Sequence, residues 1–560
     1  MIIGLDVGGT HTDVVLLGET GLIQQIKVPT DPADLFQSIL HSLNEITAGI
    51  RFSEIRRIVL STTLTTNAIV QGQIPPVGMI VSGGPGLDPE LFRTNQHYFT
   101  VSGAIDHRGR EISPVVESEI RAIAEVLKKE EIRHVGVVGK FSVRNPLHEV
   151  TIQQILAGSF ERVFAGHRVA GSLNFNRRIA TTYLNTATYP IHRSFFEAVN
   201  RSLAEKGLKV PIYILKADGG TMSLESSMEF PGQTILSGPA ASVMGSVAFA
   251  PADADALMLD IGGTTTDIAV IRNRTPQIHP IGARIAAHRT LIRSLETRSI
   301  GIGGDSVVKI TDGSIRIGPE RNGVALAYGG AAPTPTDALF VLGKIDGGDR
   351  QKALQGFQDL AAAGGTAPEA FARQVFEQAC RGILDEAQAL VERINNRPVY
   401  TVQEIQESDE IRPTHLLIMG GPAPYFAEQI GKMSDFTVQV VPRWPVANAI
   451  GAALARTTCE VTLFADTEIG ALRAPEEGFT QQIGKGFTDQ DALAKAGELL
   501  NQKARQMGAI MPDIEIEMLE NQQFNMVRGF LTTGKNIRIR VQVKPGLIMD
   551  YETISVRLAG

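Results

Sequence analysis

The stretch MIIGLDVGGTHTD (residues 1–13) sets the reading of the whole chain. An apolar, strand-like run from Met1 to Leu5 ends in an acid, Asp6. Two glycines and alternating threonines follow, and the chain turns apolar again with Asp13-Val14-Val15. Much further along, ALMLDIGGTTTDIAV (residues 256–270) has the same grammar. The pattern D-x-G-G-T-x-T-D therefore occurs twice, at Asp6–Asp13 and at Asp260–Asp267, each time between apolar runs. Each copy reads as a β-hairpin joined by a Gly-Gly turn. Glycine lets a backbone approach a phosphate closely, and consecutive N–H groups in tight turns form anion-binding nests. A carboxylate has no attraction for phosphate but can hold Mg²⁺, which binds through one or two carboxylates, waters and phosphate oxygens. A single copy reads equally well as a plain hairpin. Two matched copies point to an internal duplication that sets two phosphate loops across a cleft. Neither the dinucleotide fingerprint G-x-G-x-x-G nor the G-K-[ST] of a P-loop fits the pattern.

Composition sets the class. The 560 residues suggest roughly three or four domains at about 150 residues each. Hydrophobic residues at 43% and charged residues at 20% describe an ordinary globular chain with sizeable cores. A net charge of −7 argues against nucleic-acid or membrane-surface partners. No apolar run approaches the ~18 residues of a membrane span, and with no basic leader before the opening strand no signal peptide is expected. Two cysteines, Cys380 and Cys459, give neither a disulfide framework nor a zinc set, so a cytoplasmic location is expected. Cys380 lies in a helical pattern and reads as core packing.

Strands and helices alternate along the chain, which signals α/β layering. DPADLFQSILHSLNEIT reads as a helix with Asp31 as cap and Pro32 at its first position. IRRIVLSTT, GMIVSGG and VGVVGKF read as strands, and ESEIRAIAEVLKKEEI and PLHEVTIQQIL as helices. HRVAGSL reads as extended chain. A long helix is expected from about residue 174, then strand PIYILKAD, loop GGTMS, and PGQTILSGPAASVMG as strand, turn and helix. Residues 299–345 read as glycine-rich and irregular, residues 367–396 as a long helix, and VANAIGAALA as a closing helix. Domains are expected at 1–173, 174–460 and 461–560, the last an α+β appendage of short strands and acidic loops. A third small-residue turn, IMGGPAPYFAEQI, places Gly420 and Gly421 between a strand and a helix. That geometry suits a nucleoside or phosphate at a helix N-terminus, or simply a tight joint.

Two phosphate hairpins followed by a late Gly-Gly turn resemble the actin, heat-shock chaperone and sugar-kinase ATPase superfamily. The resemblance implies an α/β, duplicated actin-like/sugar-kinase-like ATPase fold with a small α+β C-terminal region. DVGGTHTDVVL, LSTTLTTNAI, FSVRNPLHE, LKADGGTMS, ILSGPAASVMG, LDIGGTTTDIAV, PTPTDALFVLG and IMGGPAPYFA narrow it. In this order, from residue 1 to about 460, they resemble the hydantoinase A/5-oxoprolinase family. That family includes N-methylhydantoinase and acetone carboxylase β subunits. It implies ATP and Mg²⁺ as cofactors, a cyclic amide or related carbonyl compound as substrate, and a hydantoinase B-type partner subunit; a homo-oligomer stays open. The implied activity is ATP-dependent hydrolysis of a hydantoin, 5-oxoproline or lactam, the ring being activated by phosphorylation. The alternatives are a carboxylase subunit, a small-molecule kinase, or a non-catalytic actin-like switch.

Carried over by motif, Asp6, Gly8, Gly9, Thr10, His11 and Thr12 form the first phosphate loop. Asp260, Gly262, Gly263, Thr264 and Thr265 form the second, and Gly420 and Gly421 the adenosine side. Asp6 and Asp260 are the expected metal and catalytic carboxylates. Asp13 and Asp267 are expected to hydrogen-bond the loop backbone. Thr62, Thr63, Thr66 and Asn67 either line the cleft or cap a helix. His11 stands where many members carry Phe. The usual Ser-Asn-Gly-Gly is here Ala217-Asp218-Gly219-Gly220, which makes Asp218 a candidate base or metal-water ligand, or a turn aspartate. Tyr328, Gly329, Gly330, Thr336 and Asp337 are retained from a glycine-rich family stretch. His97, His107 and His148 read as surface or packing residues; Arg177 and Arg178 read as solvated or salt-bridged, or one of them as facing an acidic substrate or ATP phosphate.

Overall fold

Both D-x-G-G-T-x-T-D stretches are hairpins, and each begins the same five-strand pattern. The computed structural model describes residues 1–8, 11–19, 21–31, 33–398 and 410–549, with residues 554 and 558. In the first half the strands are β1 (Ile2–Val7), β2 (His11–Gly18), β3 (Gly21–Pro29) and β4 (Arg57–Thr62). After β4 come β5 (Gly78–Ser82), β6 (Tyr98–Val101), β7 (His134–Gly139) and β8 (Arg162–Ala165). These four make a separate, all-parallel sheet in the order β8-β7-β5-β6. The chain then returns to the first sheet with β9 (Ile212–Leu215) and β10 (Thr221–Ser223). That sheet runs β10-β9-β4-β1-β2-β3.

The second half repeats the arrangement with β11 (Asp255–Ile261), β12 (Thr266–Arg272), β13 (Thr275–Pro276), β14 (Pro413–Met419) and β15 (Thr437–Val440). In each half the first strand pairs antiparallel with the second and the second with the third. The fourth and fifth run parallel to the first. The orders β3-β2-β1-β4-β9 and β13-β12-β11-β14-β15 are therefore one topology used twice.

The strand period of two sorts β1 and β11 between layers. Ile3, Leu5 and Val7 enter an outer core with helices α1 (Leu35–Ile46) and α2 (Phe175–Lys206). Ile2 enters the central core with α3 (Ser237–Val247). Leu257, Leu259 and Ile261 enter the opposite outer core with α4 (Pro368–Asn395) and α5 (Ala423–Met433). Ala256 and Met258 face the central layer, which α3 shares with α6 (Ala447–Leu454). The layers are thus helix, sheet, paired central helices, sheet, helix. Asp6 and Asp260 continue the series that looks at the central helices.

Small residues let α3 and α6 approach so closely. A Cβ on Gly245 would stand 2.3 Å from the Ala447 carbonyl, and one on Gly451 would stand 2.4 Å from that of Ala241. Beyond them, β16 (Glu460–Asp466), β17 (Ala471–Ala474), β18 (Phe479–Gln482), β19 (Ile516–Arg528) and β20 (Leu531–Val543) form a further sheet, ordered β18-β17-β16-β20-β19. Its apolar face, with Leu463, Ile537 and Ile539, packs on α7 (Asp489–Gln506).

Several local expectations are corrected. Helix α1 is capped by Asp34, whose side chain accepts from Gln37 N, and not by Asp31; Pro32 lies outside the described residues. HRVAGSL opens with a helical turn, Gly166–Val169. In GGTMS, Thr221 and Met222 are buried against β9, so the segment is strand β10 rather than a loop. PGQTIL forms no strand; Pro231, with no N–H to give a ladder, starts a 3₁₀ turn, Pro231–Thr234. Within 299–345, a hairpin (Val308–Thr311 with Ser314–Ile317) and a helix (Pro335–Val341) are ordered. The C-terminal strands β19 and β20 are 13 residues each, not short.

Candidate functional site

The two hairpins share one closing backbone bond. Gly8 N donates to His11 O at 3.0 Å, and Gly262 N donates to Thr265 O at 2.9 Å. Gly9 and Thr10 lie outside the described residues. Asp6 pairs across its hairpin with Asp13, and Asp260 with Asp267. His11 and Thr265 occupy equivalent positions, and both are exposed.

Asp6 is almost fully buried. Burial pushes its carboxyl up to about 6; Ser61 and Asn448 oppose the rise, while the charges of Asp13 and Asp260 add to it. Asn448, on α6, donates to Asp6 Oδ2 at 3.3 Å. Asp260 is likewise raised by burial and opposed by Ser242, on α3, which donates to Asp260 Oδ2 at 2.6 Å. Each aspartate therefore receives its donor from a central helix that follows the other half's sheet. Asp267 is pushed up to about 7 by burial and then by the charge of Asp260.

Other members of the predicted set are placed as follows. Asp13 bonds Lys27 at 2.8 Å, and Asp267 lies opposite Ser299, in place of the expected loop-backbone bonds. The Thr12 hydroxyl is buried on Thr30 at 2.7 Å rather than offered at the turn, because the strand alternation points it inward. Gly262 and Gly263 have their carbonyls bound by Gly304 N and Asp305 N, at 2.9 and 2.7 Å. Thr264 Oγ1 accepts from Arg321 Nη1 at 2.8 Å, and Arg321 also pairs with Asp305. Thr336 holds the Gly304 carbonyl, and Asp337 makes a capping box with Thr334.

Gly420 has φ +96°, and a Cβ there would stand 2.2 Å from the Ile261 carbonyl and 2.8 Å from Asp260 Oδ1. Gly421 faces open space beside the start of α5. Thr66 Oγ1 accepts from Leu236 N, and Ser237 donates to the Thr62 carbonyl, so this segment braces the start of α3.

Asp218 meets neither hairpin among its hydrogen-bond and ion-pair partners. It accepts from Lys216 at 3.2 Å, Thr458 at 2.9 Å and Gly220 N at 3.0 Å, the last a turn-aspartate bond. Burial would raise its carboxyl, but Lys216 and Arg293 outweigh that and hold it below its ordinary value. Arg178 is not solvated. It is fully buried and donates to the carbonyls of Ser172, Gly139 and Lys140, while Arg177 reaches that of Thr290. His148 is buried between Ser82 and Glu111; His97 is buried and His107 exposed. Cys380 packs in the core.

Ser242, Asn448, Asp305 and Arg321 had escaped the sequence reading. For the first two a signal exists: Ala241-Ser-Val-Met-Gly245 and Ala447-Asn-Ala-Ile-Gly451 match in spacing. For the last two there is none.

The site fits a hydrated divalent cation. Asp6 Oδ1 and Asn448 Oδ1 are buried and accept no hydrogen bond, which leaves two acceptors to face a cation or its waters. Among the described residues no group of three or more His, Cys, Asp and Glu is placed to hold a metal. A cation here relies on waters and phosphate oxygens, the usual condition for Mg²⁺.

The family model Hydantoinase/oxoprolinase matches residues 178–461, and the Hydantoinase/oxoprolinase N-terminal region matches residues 2–159. Caprolactamase subunit alpha of Pseudomonas jessenii is 25% identical over 62% of this chain and 55% of its own length. Acetophenone carboxylase gamma subunit of Aromatoleum aromaticum is 25% identical over 61% of this chain and 53% of its own length. The 5-oxoprolinase of Saccharomyces cerevisiae is 24% identical over 61% of this chain and 32% of its own length. The chain thus spans about half the length of the two bacterial relatives. The nucleotide-free structure of acetone carboxylase superposes with a TM-score of 0.71 at 18% identity, over 99% of this chain and 88% of that chain. The ATP-dependent caprolactamase of P. jessenii gives 0.72 at 19%, over 96% of this chain and 87% of that chain. The duplicated α/β fold expected from the sequence is the fold of these enzymes. No helix among the described residues is long and apolar enough to cross a membrane.

Proposed function

Since the chain belongs to the hydantoinase/oxoprolinase family, we propose that it is an ATP-dependent subunit that activates a cyclic amide of hydantoin, 5-oxoproline or lactam type for ring opening. The observation that carries this reading is the pair of matched hairpins whose buried aspartates, Asp6 and Asp260, are each tied to a central helix. Mg·ATP, when bound, would supply a phosphoryl group that turns the unreactive amide into an imidate-type phosphate, whose carbon water can attack so that the ring C–N bond breaks. Such chemistry asks a protein for positioning and charge neutralisation, with little covalent participation.

The residues suit those tasks. At the second turn Gly262 N is committed to Thr265 O, which leaves the Gly263 N–H and the Arg321 side chain as the donors for an anion there. Asp6 and Asp260 would hold the waters of a bound cation, and Asn448 and Ser242 fix their rotamers. Gly420 lets the strand–helix joint close over Asp260, and the space beside Gly421 takes the nucleoside. Asp218, kept ionised by Lys216 and Arg293, serves as a structural turn carboxylate rather than a base. Relatives named as subunits support a multi-subunit assembly, with a B-type partner completing the hydrolysis.

A carboxylase reading is the alternative, favoured by the acetophenone carboxylase relative and the acetone carboxylase fold match. ATP turnover screened against hydantoins, 5-oxoproline, lactams and ketones, with and without bicarbonate and the partner subunit, separates the two. Stimulation by ring amides without bicarbonate supports the hydrolase. Stimulation only by a ketone with bicarbonate supports the carboxylase. No stimulation under any condition sinks both.

A further inference from the structure

A cavity of about 410 Å³ lies where the loop before α3 and the excursion between β13 and residue 297 meet the C-terminal sheet. No residue of either phosphate hairpin lines it. Its volume falls within the usual range of small-molecule sites.

The C-terminal sheet presents two unlike faces. Alternation sends Leu463, Ile537, Ile539 and Val541 to α7. The opposite face carries Glu460 and Thr462 on β16 and Arg538, Arg540 and Gln542 on β20, and this face walls the cavity. A charged sheet face turned inward over a void needs a reason, since polar faces ordinarily look to solvent.

The wall is cationic in balance. Five Lys and Arg side chains line the cavity against three carboxylates. Arg293 is committed, donating to Glu460 at 2.9 Å and to Gln542. Arg538 and Arg540 form ion pairs with Glu520 at 2.9 Å and Glu460 at 3.0 Å, yet both side chains stay about one-third exposed (33% and 29%). A guanidinium carries five N–H donors, so these two keep several uncommitted. They are two residues apart on one strand face, which sets them side by side. Phe464 stacks under Arg538 at 5.6 Å, which helps to hold its plane. Ile278, Pro280, Ile281 and Ile292 also line the cavity and give it an apolar part. Lys216 and Asp218 close another side as a buried ion pair.

A wall of planar cations and an apolar part of aliphatic side chains select an amphiphilic anion, because guanidinium matches carboxylate in bidentate geometry. We propose that this cavity is a binding site for a small organic carboxylate, its acid group held by Arg538 and Arg540 and its apolar body against Ile278–Ile281 and Ile292. This holds whether or not the ATP-dependent reading does, since the site shares no residue with the hairpins.

Binding to the full chain without nucleotide, followed by calorimetry, tests it with matched pairs. The probes are 5-oxoproline against 2-pyrrolidone, cyclohexanecarboxylate against cyclohexanecarboxamide, and benzoate against benzamide. At least one acid is expected to bind about tenfold or more tighter than its neutral twin, the value of one or two charged hydrogen bonds. The variant Arg538→Gln/Arg540→Gln should lose that preference while keeping the wild-type circular dichroism and a cooperative thermal transition, which report an intact fold. Equal binding of acids and neutral twins, no binding by any acid, or a preference that survives in a folded double variant would each overturn the proposal. Should the double variant fail to fold, Arg540→Lys and Ile281→Asp replace it: the first must weaken acid binding and the second abolish it.

Discussion

Asn448 donates its side-chain amide to Asp6 at 3.3 Å across the boundary between the two halves of the molecule. Its counterpart is Ser242 on Asp260 at 2.6 Å. Ser242 and Asn448 each sit three residues before the glycine at which α3 and α6 touch. The duplication therefore extends beyond the hairpins to the helices that serve them, and the service is exchanged between halves. Removing either donor should loosen a buried carboxylate without disturbing the fold around it. Asn448→Ala and Ser242→Ala are each expected to weaken Mg²⁺-dependent nucleotide binding by about tenfold, since one lost hydrogen bond to a charged group is worth ~1.5–3 kcal/mol. Mn²⁺ titration followed by electron paramagnetic resonance reads this without any turnover. Unchanged Mn²⁺ affinity in both variants would refute the exchanged-donor account.

Protons compete with the cation at Asp6. Its carboxyl titrates at about 6, and that of Asp267 at about 7, against ordinary values of 3.8. Between pH 3.8 and these values the folded chain holds more protons than the unfolded chain. Stability of the cation-free protein therefore falls as pH rises through that window. Cation binding ionises Asp6, so affinity should rise from pH 5 to 7.5 with release of a proton. Calorimetry in two buffers of different ionisation enthalpy measures that proton directly.

The same burial predicts an unusual result for Asp6→Asn. At pH 8 the wild-type chain carries an ionised carboxylate whose pKa burial has raised by about two units, a cost of ~3 kcal/mol as a ceiling. The neutral amide removes that cost. The variant should melt at or above the wild-type temperature without ligand and show no further stabilisation by Mg·ATP. A variant that is less stable yet still stabilised by Mg·ATP would show that Asp6 is a structural residue.

The hairpins were legible because their chemistry is local. Asp, Gly-Gly and Thr lie within eight residues, and a β-hairpin pairs near neighbours, so pattern and geometry coincide. Although β10 was read as a loop, helix α1 and strands β4 and β9 were legible from their own apolar patterns. Asp305 and Arg321 were not, because the loop that carries them reaches the second turn through backbone hydrogen bonds, to which many sequences are suited. Thr12 was misjudged because the motif names a residue type, whereas the strand alternation decides which way it points. Asp218 read as a candidate base because two of its partners, Arg293 and Thr458, are distant in sequence.

The two glycines of the late turn should separate cleanly. Gly420→Ala places a Cβ against the Ile261 carbonyl and Asp260 Oδ1 at positive φ. It is expected to cost more than about 2 kcal/mol and to abolish nucleotide binding through Asp260. Gly421→Ala meets nothing within 4 Å, so its melting temperature should match the wild type and any defect should appear in nucleotide affinity alone. Denaturant unfolding with nucleotide titration compares them, and similar unfolding midpoints for the two variants would contradict the packing argument.

Asp218 and Lys216 form a buried pair at 3.2 Å, and breaking such a pair strands a charge. Asp218→Asn alone leaves Lys216 without its carboxylate and should destabilise by ~3–5 kcal/mol. Replacing both partners removes the stranded charge, so Asp218→Asn/Lys216→Met should recover most of the lost stability. That recovery distinguishes a structural carboxylate from a catalytic one. If Asp218 only balances Lys216, the double variant regains Mg·ATP turnover together with its melting temperature. A double variant that is as stable as wild type but inactive would place Asp218 in the chemistry, and the turn-aspartate assignment would fall.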